Sequence, residues 1–331
     1  MESVLSFSAT DLAQTRFAVS PMWEVVTSFQ LLRAATDPPL HRRWAAQVRP
    51  RVQRAGLDRG WLAALIPGEG YLADFLNPTP SGPFPGLPAE LDAIRASSPE
   101  QVRADLAMLR RTASRPSPRL RLFEEEPQAA LEKVTEEIET YWEIGLAPYW
   151  SRIRQVLEAD LFHRARQVAE HGSAHVLNEL HSTVSWDAGT LRMVRHQCTL
   201  TRDQTGSGML LVPSAFAWPR ILTRTVAPDP PQLAYPARGI GHLWRPRASG
   251  AAAEAVAGVL GRSRAQLLAE LDTPASTTLL ARSCGLSAAA VSQHLTALRN
   301  AGLVTAHRNG RSVLYARTAV ADALLTPVAV P

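Results

Sequence analysis

The sequence predicts a mainly helical α+β protein in two domains: an N-terminal helical domain ending in short antiparallel strands, and a smaller C-terminal domain of helices closed by one β-hairpin. Three observations predict it. Apolar residues recur at spacings of three and four over residues 131–168, the mark of amphipathic helices. Beyond residue 181 that period gives way to short apolar runs between turn signals. Composition changes sharply across residues 245–250 (RPRASG): all eight tryptophans lie before it, and afterwards Tyr315 is the only Phe, Tyr or Trp. The expected domains are therefore residues 1–245 and 250–326, consistent with a chain of 331 residues.

In chain order, helices are expected at residues 23–36 and 40–55. Residues 77–88 (NPTPSGPFPGLP) hold five prolines and two glycines and must be an irregular loop. Helices follow at 87–96 and 99–111, with a shorter break at 114–118. Leu131, Val134, Ile138 and Tyr141 form one apolar stripe, broken from the next by Pro148. The next stripe runs through Trp150, Ile153, Leu157, Leu161, Ala165 and Val168, with Arg152, Arg154, Glu158, Arg166 and Glu170 on the other face. Residues 184–186 and 190–194, separated by Asp187-Ala188-Gly189, read as strand, turn, strand. Further strands are expected at 208–212, 221–226 and 232–235.

The last domain carries the most specific pattern. A short helix from Thr277 to Ser283 turns Leu280 and Ala281 inward. Gly285 can take the left-handed conformation that ends a helix, and Ser287 can cap the next, from Ala288 to Asn300. Two helices joined by so short a turn form a helix-turn-helix. On the second helix Val291, Leu295 and Leu298 make the buried stripe, which leaves Ala289, Ser292, Gln293 and Thr296 outward. Small residues there let a helix sit deep in a major groove, and Ser292 and Gln293 can hydrogen-bond base edges. Gly302-Leu303-Val304 begins a strand, Asn309-Gly310 is a strong hairpin signal, and residues 311–317 alternate as a return strand. The hairpin tip, His307-Arg308-Asn309-Gly310-Arg311, is basic and suited to phosphates or the minor groove. The fold implied is a winged helix-turn-helix, and the partner implied is double-stranded DNA, with Ser287, Ala289, Ser292, Gln293, Thr296, His307, Arg308, Asn309 and Arg311 at the contact.

The bulk properties agree. Net charge is +5 and the pI about 9.7, which permits a nucleic-acid partner without demanding one. The longest apolar stretches, 208–217 and 251–260, fall short of the roughly 20 residues a bilayer needs, so no membrane partner is expected. The N-terminus has no basic region before a hydrophobic run, and the expected location is the cytoplasm. Cys198 and Cys284 are too few for a disulfide framework and read as small apolar residues.

No catalytic constellation emerges. His171 and His175 stand four apart, with His163 and His181 nearby, but Gly172 interrupts the helix that would align them and no general base lies between. Glu124-Glu125-Glu126 and Glu136-Glu137 suit exposed helix positions or helix starts. Gly206-Ser207-Gly208 lacks a phosphate-loop lysine, and Ser214 sits in no nucleophile elbow. The expectation is a non-enzyme without cofactor or metal.

Several segments are similar to the ArsR-type winged-helix regulators: residues 261–268, Leu280-Ala281-Arg282, Gly285-Leu286-Ser287, Val291-Ser292-Gln293-His294-Leu295, residues 298–304 and Gly310-Arg311-Ser312-Val313-Leu314-Tyr315. The resemblance covers about a quarter of the chain. It implies a homodimer on an inverted-repeat operator, commonly a repressor, with dimer contacts from outer helices at 251–260 and 318–325. Metal-sensing members carry paired cysteines before the turn, or His and Asp ligands on the terminal helices. Here Thr277, Leu279, Leu280 and Ala281 replace the thiols, Cys284 stands alone, and residues 319–325 offer only Asp322.

The chain from Val4 to Trp244 resembles an uncharacterised helical domain found ahead of such winged helices, through residues 17–25, 210–214 and 235–239. That resemblance implies no activity. Eight tryptophans could enclose a pocket for a small-molecule effector, or simply fill a core. Two other functions stay open: an enzyme that uses the winged helix to reach nucleic acid, and a protein-interaction module.

Overall fold

A computed structural model describes residues 2–35, 39–112, 117–187, 189–194, 201–202, 207–244, 250–271, 274–309 and 312–325. The chain divides into two compact units. One comprises Met1–Glu139 and Val156–Ile240, the other Thr140–Gln155 and Gly241–Pro331. The segment 245–249, where composition changes, lies outside the described residues, as does Cys198.

The first unit opens with β1 (Glu2–Ser6), α1 (Ala9–Ala13) and β2 (Arg16–Phe17). Helices α2 (Pro21–Arg33), α3 (Arg42–Arg54), α4 (Trp61–Leu65), α5 (Leu87–Arg95), α6 (Pro99–Thr112), α7 (Leu122–Glu125) and α8 (Pro127–Tyr141) follow. Then come α9 (Trp150–His171), α10 (Ser173–Asn178), β3 (Val184–Asp187), β4 (Thr190–Val194) and β5 (Thr201–Arg202). The unit ends with β6 (Leu210–Ser214), β7 (Leu222–Arg224) and β8 (Gln232–Pro236). Proline at its first turn and the Ser20 hydroxyl, which accepts from the Trp23 amide, start α2. Residues 21–32 of that helix are buried on every side, so it runs through the core and shows no amphipathic stripe.

Among the described residues of this unit two four-stranded sheets form, in the orders β3-β4-β1-β5 and β2-β6-β8-β7. The expected hairpin of β3 and β4 is antiparallel, with Gly189 at φ 82° in its turn, and β1 and β7 also pair antiparallel with β4 and β8. Strands β2, β6 and β8 instead run parallel. The sequence reading had no means of finding that pairing or β1. Parallel neighbours need long crossovers, and β2 meets β6 across almost the whole unit. Gly208, at φ 72°, lies so close to the Gln14 backbone that an added Cβ would stand 2.5 Å from the Gln14 oxygen. Its N–H donates to Asp11 at 3.1 Å.

Helix α9 departs from its sequence stripe in its second half. Ile153, Leu157 and Leu161 are buried, but Ala165 is exposed and Asp160 and Arg164 turn inward. The Asp160 carboxylate accepts from the Tyr235 hydroxyl at 2.8 Å and the Arg238 amide at 3.0 Å, and Arg164 Nε lies 3.9 Å away. A buried charge kept with its partners in this way ties α9 to the end of β8.

The second unit contains the residues between α8 and α9. Trp142–Leu146 form one π-helical turn and Ala147–Tyr149 a 3₁₀ turn. The C-terminal part holds α11 (Gly250–Leu260), α12 (Arg262–Glu270), β9 (Ala275–Ser276), α13 (Thr277–Cys284), α14 (Ala288–Asn300), β10 (Val304–Asn309), β11 (Ser312–Arg317) and α15 (Ala319–Leu324). Its strands pair antiparallel in the order β10-β11-β9. Val256, Leu267, Leu268, Leu280, Val291, Leu295, Leu298, Leu303, Ala321 and Leu325 share one core, with Cys284 packed at its edge. The whole is a mainly helical α+β chain. No helix among the described residues is long and apolar enough to cross a membrane.

Candidate nucleic-acid interface

Local chemistry sets the two helices of the motif. The Ser276 hydroxyl caps α13 by accepting from the Leu279 amide. Gly285 ends it at φ 66°, and the Leu286 amide reaches back to the Ala281 carbonyl at 3.1 Å. Two residues later Ser287 caps α14, its hydroxyl accepting from the Ala290 amide at 3.2 Å. The turn is therefore only three residues long, and the angle between the helices is decided by Gly285 and the core beneath.

Val291, Leu295 and Leu298 are fully buried. Each contributes about 1.5–3 kcal/mol of burial, enough to hold the rotation of α14 about its axis. That rotation leaves Ala289, Ser292, Gln293 and Thr296 exposed. The Thr296 hydroxyl donates to the Ser292 carbonyl at 2.9 Å, so it offers a methyl group and lone pairs outward. Arg299 is also exposed, one turn beyond Thr296 on the same face. The sequence reading passed over it because it sits at the helix end, where a basic residue has the ordinary role of complementing the helix dipole.

Gly302, at φ 70°, closes α14, and the Leu303 amide bonds back to the Leu298 carbonyl at 2.9 Å. The chain then enters β10. Its register with β11 runs from Val304↔Arg317 to Asn309↔Ser312. Gly310 and Arg311, at the tip of the hairpin, lie outside the described residues, and so does the Asn309 side chain. Arg308 is exposed. His307 is not the free tip residue the sequence suggested. Its Nε2 lies 2.9 Å from the Thr305 hydroxyl and its Nδ1 3.8 Å from the Glu143 carboxylate. Burial holds its pKa below the ordinary histidine value, with Glu143 opposing that shift.

The base of the hairpin is pinned by a buried ion pair. Arg317 Nε meets Asp322 at 3.0 Å, and Arg317 donates to the Leu268 carbonyl at 3.1 Å. One side chain thus joins β11 to α12 and α15.

Elsewhere, the His171 and His175 rings meet edge-on with centroids 4.8 Å apart. Among the described residues no group of three or more His, Cys, Asp or Glu side chains is placed to hold a metal ion.

A helix-turn-helix whose second helix presents small polar residues, followed by a β-hairpin, defines the winged-helix class of DNA-binding folds. Comparison with known families agrees. Residues 266–306 match the bacterial regulatory protein, arsR family, and residues 96–241 match a family of unknown function (DUF5937). No curated protein and no solved structure matches the chain. The chain therefore carries an arsR-family helix-turn-helix behind a domain of unknown function, and is a DNA-binding transcription regulator. The second match includes residues 142–149, which fold with the winged helix.

Proposed function

We propose that this protein is a sequence-specific, homodimeric repressor acting in the cytoplasm on an inverted-repeat operator, with no catalytic activity of its own. The observation that carries the reading is the rotation of α14: three buried aliphatic residues turn Ser292, Gln293 and Thr296 outward together. In this reading Gln293 and Ser292 read base edges, and Ala289 and Thr296 allow close approach. Ser287, His307, Arg308, Asn309 and Arg311 contact backbone or the minor groove. Arg299 joins the phosphate contacts.

The homodimer is supported by uncovered apolar side chains on the outer helices. Val259 on α11 is 84% exposed, and Val320 and Leu324 on α15 are 60% and 47% exposed. The opposite faces of both helices, through Val256 and Ala321, enter the domain core, so the outward residues are not the ones that fill it. A small-molecule effector, if the first unit takes one, changes the spacing of the two recognition helices. Coupling of this kind amounts to about 1–3 kcal/mol.

A gel-shift titration of the full chain on the DNA upstream of its own gene, with excess random competitor at two salt concentrations, tests the reading. A shift that survives competitor and weakens steeply with salt is the expected result. A shift abolished equally by any competitor would leave only non-specific binding and sink the operator reading.

A further inference from the structure

The wing is not left to itself. The π turn Trp142–Leu146 packs on β10, and the 3₁₀ turn Ala147–Tyr149 packs on both β10 and β11. The Ser151 hydroxyl donates to the Arg317 carbonyl at 2.9 Å, so this segment is bonded to the strand that anchors the hairpin. Its own shape is closely specified. A Cβ at Gly145 would stand 3.1 Å from the ring of Tyr141, which is fully buried, and the Trp142 and Trp150 rings pack 4.8 Å apart across the turns.

From this segment Glu143 reaches the wing. Its carboxylate lies 3.8 Å from His307 Nδ1, with the Glu143 side chain 52% exposed and the His307 side chain 18% exposed. An anionic oxygen beside the imidazole Nδ1 is what a DNA phosphate would supply at the same place. Burial lowers the pKa of the ring against the opposing pull of Glu143 and so favours its neutral form, which does not cancel a charge on the carboxylate. It stays beside the strand that carries Arg308, where phosphate should approach.

We propose that residues 142–149 are a built-in brake on the wing, in which Glu143 stands in for a DNA phosphate at His307. The inference rests on the DNA-binding reading and deepens it by naming how the site is regulated. The braking segment is continuous with α8 and α9, both within the region matched to the family of unknown function.

The test is a fluorescence-anisotropy titration of the full chain with a short mixed-sequence duplex at low and physiological salt, since phosphate contacts need no operator. Glu143→Gln should bind about threefold more tightly at low salt, with the gain shrinking as salt screens the removed charge. The gain should be clearly smaller in the His307→Ala background, where only relief of the charge beside Arg308 is left. Glu170→Gln, which makes the same change in net charge in the other compact unit, should bind as wild type. Arg308→Ala should bind more weakly in every background and reports whether the wing touches DNA at all. Unchanged or weaker binding by Glu143→Gln overturns the brake, and so does an equal gain in the His307→Ala protein or from Glu170→Gln. If Arg308→Ala weakens binding in that case, the DNA-binding reading stands without the brake. If no variant and no wild-type protein binds any duplex, the DNA-binding reading falls and the brake with it.

Discussion

Glu24 shows how a single side chain can set a property of the whole fold. It is completely buried in α2, and both carboxylate oxygens accept from the Ala215 amide at 3.1 Å. Desolvation raises its pKa from 4.5 to about 8, with the Ser214 hydroxyl and the Ala215 amide opposing the shift. The folded state therefore holds a proton at neutral pH that the unfolded chain releases above about 4.5. Between those values the unfolded state binds fewer protons, so stability is full below 4.5 and is lost as pH rises through about 8. Glu24→Gln keeps the shape and removes the titration. It should melt with wild type at pH 5 and several degrees higher at pH 8; parallel melting curves across that range would contradict the assignment. At the interface, Arg308→Ala should weaken binding to all sequences and lower the salt slope by about one. Gln293→Ala should relax preference at one base position by roughly 1–3 kcal/mol. An unchanged binding-site logo for Gln293→Ala would mean that α14 is not the reading helix.

At the scale of elements, the hairpin depends on a buried charge pair. Asp322→Ala leaves the Arg317 guanidinium buried beside an apolar methyl and should cost about 3–5 kcal/mol, read as a lower denaturation midpoint of the full chain. Replacing both residues with apolar ones, Arg317→Met with Asp322→Leu, should recover most of that loss. Equal destabilisation by the single and double variants would show that the ion pair is not what holds α15 to β11. Much of this element was readable beforehand. Gly285 and Ser287 mark the turn by chemistry that acts within four residues, and Val291, Leu295 and Leu298 mark the core by helical period. The exposure of His307 was misread for the opposite reason. Its partner Glu143 lies more than 160 positions away, and no local pattern connects a glutamate between two helices to a distant hairpin.

At the scale of the molecule, the outer helices should pair two chains. Val259→Glu combined with Val320→Glu should convert a dimer to a monomer in sedimentation, with little change in melting because both side chains are exposed. A wild-type chain that sediments as a monomer would remove the homodimer from the reading. The sequence by itself determined the class of the chain: helices from three-and-four spacing, the β3–β4 hairpin from its turn, and the winged helix from caps, a stripe and a hairpin in compact order. Those signals are written in neighbouring residues, because helix periodicity and turn conformation are local properties of the backbone. Only the tertiary structure decided the parallel pairing of β2, β6 and β8, the burial of Glu24, the inward turn of Asp160 and Arg164, and the docking of residues 142–149 on the wing. Each depends on contacts between distant parts of the chain, where burial and partner geometry override local preference and leave no period to read.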